Sequence, residues 1–147
     1  MASEEVLQTI PHRPPFLFID EVVEKDDQSI LAKRFVPETE AFFQGHYPGN
    51  PIMPGVLLCE AVFQAGAIYF ASVMGDSLKG DSDLVPVVTK IMDTKFKHIV
   101  RPGDTLNITA TFKKRMGNFM FMDGGIKNQD DKRVMSISFC IALAKAP

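Results

Sequence analysis

Two periodicities divide the chain. Near its middle, VLLCEAVFQAGAIYFASVM (56–74) carries one charge, Glu60, in nineteen residues. Its length approaches the roughly 20 residues of a membrane span. Glu60 and Gln64 stand near its start, however, and no basic flank follows. A helix apolar on nearly every side belongs inside a soluble fold, where something must wrap it. Pro54 suits the first helical position and Gly75-Asp76 suits the end. Further along, the period changes to two. Leu106, Ile108, Ala110 and Phe112 alternate with Asn107, Thr109, Thr111 and Lys113. Met135, Ile137, Phe139, Ile141 and Leu143 alternate with Val134, Ser136, Ser138, Cys140 and Ala142. Such alternation predicts half-buried strands.

The remaining elements follow from turn signals. Pro102-Gly103-Asp104 and Gly117-Asn118 mark turns, the second leading into FMFM (119–122). VPVVTKIMDTKFKHIV (85–100) is β-rich. FLFIDEVVE (16–24) and SILAKRFV (29–36) read as strands around the turn residues Asp26, Asp27 and Gln28. Ser3 with Glu4 and Glu5 predicts a short helix over 4–9, which Pro11, Pro14 and Pro15 stop. One long buried helix with about five or six strands implies an α+β domain. The segments from 104 onward form an antiparallel meander, and the sheet curls around the helix. The length fits one domain, 1–147.

Composition narrows the function. Hydrophobic residues at 46% and charged residues at 23% exclude disorder and coiled coil. Two Cys without a CxxC spacing make no disulfide framework, so a reduced, cytoplasmic setting is expected. MASEEVLQTI shows no basic region followed by an apolar one, hence no signal peptide. A net charge of −2 argues against a general nucleic-acid binder. Yet residues 90–115 hold Lys90, Lys95, Lys97, Arg101, Lys113, Lys114 and Arg115 against Asp93 and Asp104, a local balance of +5. That segment is either a pair of solvated strands or a landing place for an anionic partner.

His12, His46 and His98 show no metal-ligand spacing, and no phosphate-binding glycine loop exists, so neither metal nor cofactor is expected. Cys59 reads as a small core residue. The dense segment is GHYPGNPIMPGVLLCEAVFQ (45–64). Pro48, Pro51 and Pro54 stiffen a loop that fixes how His46 approaches the helix start. Gly55 lets a ligand come close to backbone N–H groups at the positive helix end. Glu60 lies about 7.5 Å further down the axis, and Gln64 shares its face one turn on. An imidazole, a carboxyl and an N–H donor suit acid–base chemistry beside a carbonyl. An apolar setting raises a carboxyl's pKa and makes it a proton donor.

Residues 45–64 closely resemble the signature GHFPxxPxMPGVLxxEAxxQ of bacterial (3R)-hydroxyacyl-[acyl-carrier-protein] dehydratases of the type II fatty-acid pathway, the Z-type, with Tyr47 where Phe is usual. Pro11-His12-Arg13-Pro14-Pro15-Phe16 resembles the family's PHRYPF, with Pro14 in place of an aromatic. Lys95-Phe96-Lys97 and Arg101-Pro102-Gly103-Asp104 resemble its RFKRPVxPGD, with His98 outside the pattern. The resemblance implies a hot-dog fold, an antiparallel sheet around one long helix. It implies loss of water from a (3R)-hydroxyacyl thioester to give the trans-2-enoyl thioester. It further implies that His46 acts at C2, that Glu60 helps the 3-hydroxyl leave, and that the Gly55 N–H binds the thioester oxygen. The Ile52 carbonyl then orients His46, and Gln64 supports Glu60. Glu rather than Asp at position 60 matches the Z-type over the isomerising A-type. An acyl carrier protein is the implied partner, with Lys95, Lys97 and Arg101 as docking charges. A homodimer sharing its sites, or a trimer of such dimers, is the implied assembly. The alternatives are a hot-dog hydratase or thioesterase acting on acyl-coenzyme A, or a non-catalytic carrier-binding subunit. A degenerate subunit is expected to lose His46 or Glu60, and the chain has both.

Overall fold

The computed structural model describes residues 1–78 and 84–145. In chain order the elements are α1 (Glu4–Thr9), β1 (Glu21–Lys25), β2 (Ser29–Phe35), a 3-10 turn (Ala41–Gln44), α2 (Gly55–Leu78), β3 (Leu84–Phe96), β4 (Thr105–Met116), β5 (Phe119–Lys127) and β6 (Arg133–Lys145). The six strands form one sheet in the order β1-β2-β4-β5-β6-β3, and every neighbouring pair is antiparallel. β4, β5 and β6 are the expected meander. The sheet's concave face wraps α2, which is the hot-dog arrangement. Leu106, Ile108 and Ala110 of β4, Met120 and Met122 of β5, and Ile137, Phe139 and Ile141 of β6 are buried there. Every residue of α2 from Ala61 to Phe70 is buried. That enclosure explains why the helix is apolar all round although it is long enough to span a membrane.

Close approach of helix to sheet depends on two glycines. A Cβ on Gly124 of β5 would lie 2.4 Å from a Val62 methyl and 2.8 Å from the Thr109 carbonyl oxygen. A Cβ on Gly66 of α2 would lie 3.0 Å from the Phe139 ring.

Four boundaries differ from the sequence reading, each for a visible reason. The strand expected over 16–24 begins only at Glu21. Residues 16–19 cross the outside of α2 instead, because Gln64 satisfies their backbone: its Oε1 accepts from the Phe18 N–H at 2.7 Å and its Nε2 donates to the Phe16 carbonyl at 3.1 Å. The β-rich 85–100 leaves the sheet after Phe96, where the N–H groups of Lys97 and His98 both donate to the Val134 carbonyl. Pro54 is a cap rather than the first helical residue, since its carbonyl accepts from Leu57 and Leu58 while Gly55 opens the helix. Gly75-Asp76 does not end α2, which runs on to Leu78.

Candidate active site

His46 sits at the mouth of a tight loop. The 3-10 turn delivers its N–H to the Phe42 carbonyl at 3.0 Å, and Tyr47 and Asn50 exchange both backbone bonds at 3.1 and 2.9 Å. The His46 carbonyl accepts from Ile52 N–H at 2.8 Å, and the His46 Nδ1 lies 2.7 Å from the Ile52 carbonyl oxygen. A carbonyl only accepts, so Nδ1 carries the proton and Nε2 of the neutral ring presents a lone pair. The ring stacks on Tyr47 with centroids 4.2 Å apart. Arg101 braces the same loop, donating to Asn50 Oδ1 at 2.8 Å and to the Pro51 carbonyl at 3.4 Å. Arg101, which the sequence offers as a docking charge, is exposed and also braces the His46 loop.

Gly55 opens α2 beside this loop. A Cβ there would stand 3.0 Å from the Phe96 ring, close enough that this half-exposed ring would have to give way. Among the described residues the Gly55 and Val56 amides donate to no group. They form the positive end of the helix, and the Val56 side chain beside them is 74% exposed.

Glu60 lies one and a half turns further on, half-buried. Burial pushes its carboxyl above the usual carboxylate range, against the opposing effect of the Gln64 amide, which donates to Oε2 at 3.0 Å. Gln64, fully buried, is itself fixed by Phe16 and Phe18. The Glu60 carboxyl borders a cavity of about 350 Å³ whose other walls are Phe63, Ala67, Pro86, Val87, Val88, Ile91, Ile141 and His12. His12 was not singled out from the sequence. Its Nε2 lies 3.7 Å from Glu60 Oε2, 48 positions away in the chain, a neighbourhood that no local spacing announces. Neither His46 nor Gly55 lines this cavity. One chain therefore carries two half-sites, an imidazole with helix-end amides and a protonatable carboxyl at an apolar hollow. Lys95 and Lys97 are exposed at and just beyond the end of β3.

A FabA-like domain model matches residues 10–138, a span that includes His12, His46, Gly55, Glu60 and Gln64. The chain belongs to the FabA-like family. Within this family the chain is 44% identical, over 80% of its length and 82% of the relative's, to the 3-hydroxyacyl-[acyl-carrier-protein] dehydratase FabZ of Oenococcus oeni. It is 34% identical to the FabZ of Petrotoga mobilis over 99% of its own length and 100% of that protein. Among solved structures, the dehydratase heterocomplex ApeI:P from Xenorhabdus doucetiae superposes with a TM-score of 0.79 at 14% identity, covering 95% of this chain and 91% of that one. That likeness concerns the fold.

Proposed function

We propose that this FabZ-type chain dehydrates (3R)-hydroxyacyl groups carried as thioesters on acyl carrier protein, giving the trans-2-enoyl thioester in fatty-acid or fatty-acid-like synthesis. The observation that carries the reading is the carboxyl of Glu60, held toward its protonated form at the edge of an apolar hollow. It fits the one step that needs an acid, departure of a hydroxyl as water. His46 Nε2 takes the proton from C2. The electrons of the C2–H bond form the C2–C3 double bond, and the C3–O bond breaks as Glu60 protonates the leaving oxygen. His46 ends as imidazolium and Glu60 as carboxylate, and exchange with solvent resets both. The Gly55 N–H faces the thioester oxygen, on which charge gathers as C2 loses its proton. Ile52 fixes the tautomer of His46, and Gln64 holds Glu60.

The half-sites call for a second copy. β3 is a thirteen-residue edge strand with Val87, Val88, Ile91 and Phe96 exposed. The other edge, β1, has five residues, three of them charged. Charged, short edges resist pairing; long apolar ones invite it. Pairing of β3 with its equivalent makes a two-fold homodimer in which His46 of one chain meets Glu60 of the other. Lys95 and Lys97 are the charges offered to an acidic carrier. The buried thiols of Cys59 and Cys140 agree with a cytoplasmic place of work.

Purified protein incubated with a 3-hydroxyacyl carrier thioester should convert it to the enoyl thioester, followed by loss of one water in the mass of the carrier. Free carrier and hydroxy acid as the products would mean a thioesterase.

A further inference from the structure

We infer that His12 is a positioning residue for the proton donor, poised to take one oxygen of Glu60 as the carboxyl ionises while the other faces the substrate. The inference rests on the dehydratase reading and on three observations independent of it.

First, both neighbours of the carboxyl meet the same oxygen. Gln64 Nε2 donates to Oε2 at 3.0 Å, and His12 Nε2 approaches Oε2 at 3.7 Å. Oε1 is left for the reacting molecule. Second, the tautomer of His12 follows from its other nitrogen. Nδ1 is buried with no partner among the described residues. An unmet N–H is rarer in proteins than an unmet acceptor, so the proton belongs on Nε2, pointing at Glu60. Third, the backbone that carries the ring is fixed. The Arg13 guanidinium donates to the carbonyls of Leu7, Ile10 and His12 at 2.7, 2.9 and 2.6 Å, which locks the turn that carries His12.

Burial, more than charge, favours the neutral imidazole. Burial and then the Arg13 cation push its pKa below the usual value. Among the described residues the groups that face Glu60 are His12 from the N-terminal segment, with the Arg13 cation beside that ring, Gln64 on its own helix, and apolar Pro86, Val87, Val88 and Ile91 from β3 and Ile141 from β6. In the dimer, His46 of the second copy adds one more titratable ring. At 3.7 Å the His12 contact is too long for a hydrogen bond. A shift of roughly 0.8 Å makes it one, and the carboxylate formed when Glu60 gives up its proton supplies the pull. His12 thus stabilises the product state of the donor and strengthens the acid.

The sign is definite. A donor on the carboxylate lowers its pKa, so removing it raises the pKa of Glu60. The alkaline fall of kcat, where Glu60 loses its proton, then moves to higher pH, while the weaker acid reacts more slowly. On the assembled protein with a 3-hydroxyacyl carrier thioester, His12→Leu should lower kcat about 10- to 100-fold and change KM by no more than about twofold. The alkaline limb should shift upward. His12→Gln, whose amide puts an N–H near the place of Nε2, should recover most of kcat and return the limb toward its wild-type position. An unmoved limb in both variants, equal losses in Leu and Gln, or a loss confined to KM overturns the inference. If His12→Leu does not fold, His12→Gln decides alone: a near-wild-type kcat and limb support the role, a collapse of kcat sinks it. Glu60→Gln runs alongside. Full activity in that variant would remove the dehydratase reading itself, whatever His12 does.

Discussion

His46 and Glu60 differ in what their neighbours do to them, and their variants should differ accordingly. His46 is locked by one carbonyl and stacks on Tyr47 near the surface. His46→Ala is expected to reduce turnover by roughly 10²–10⁴ while the circular dichroism spectrum and melting temperature stay close to wild type. Glu60 is strained by burial. Its folded pKa is raised above the unfolded value, so the folded protein binds more protons than the unfolded chain. The associated stability is complete below the unfolded pKa and is lost as pH rises through the folded one. Glu60→Gln, which cannot ionise, should therefore be inactive yet increasingly more stable than wild type as pH rises across that window. Melting curves of both proteins at several pH values check this; a constant difference would contradict it. The local pieces of the site were legible because they are close in sequence: Ile52 is six residues from His46, and Gln64 is four from Glu60. His12 and Arg101 escaped because their partners are 48 and 51 positions distant. Chain folding alone brings them together.

Among the elements, those with a clean period were readable and those governed by a distant side chain were not. α1 and β2 stand where pattern and capping put them, and β4 follows its alternation, whereas β6 keeps it only over Met135–Phe139, since Val134, Cys140 and Ala142, expected on the other face, are buried as well. Residues 16–19 have the composition of a strand, but a buried glutamine takes the Phe16 carbonyl and the Phe18 N–H. The 3-10 turn at Ala41–Gln44 carries no sequence signal of its own; the packing of Phe42 and Phe43 shapes it. At this scale Gly124 is the sharpest test. An added methyl meets Val62 at 2.4 Å and a backbone oxygen at 2.8 Å, and the latter cannot yield without moving β4. Gly124→Ala should cost about 2 kcal/mol or more, seen as a lower urea midpoint. On β3 and just beyond it, charge reversal at Lys95 or Lys97 should raise KM for carrier thioesters more than for small thioester mimics, and added salt should shrink the difference.

For the whole molecule, the separation of the two half-sites gives a quantitative test. Inactive His46→Ala and Glu60→Gln chains, mixed under conditions that exchange subunits, form mixed dimers in half of all cases. Each mixed dimer keeps one intact site of two, so roughly one quarter of wild-type activity should return. No recovery despite proven exchange would mean that each chain builds its site alone. The fold itself was visible early, because an apolar helix flanked by alternating strands has few other ways to hide. What no pattern revealed is which wall of the Glu60 cavity is firm. α2 is seated on β5 through Gly124 and on β6 through Gly66, at distances that leave no slack. The opposite wall is β3, an edge strand whose register slips between Val88 and Lys90 and again between Met92 and Lys95. Among the described residues its outer hydrogen-bonding groups face no strand of the same chain. Within one copy the helix is therefore the anvil, and the irregular strand is the wall that only a second copy's β3 can brace.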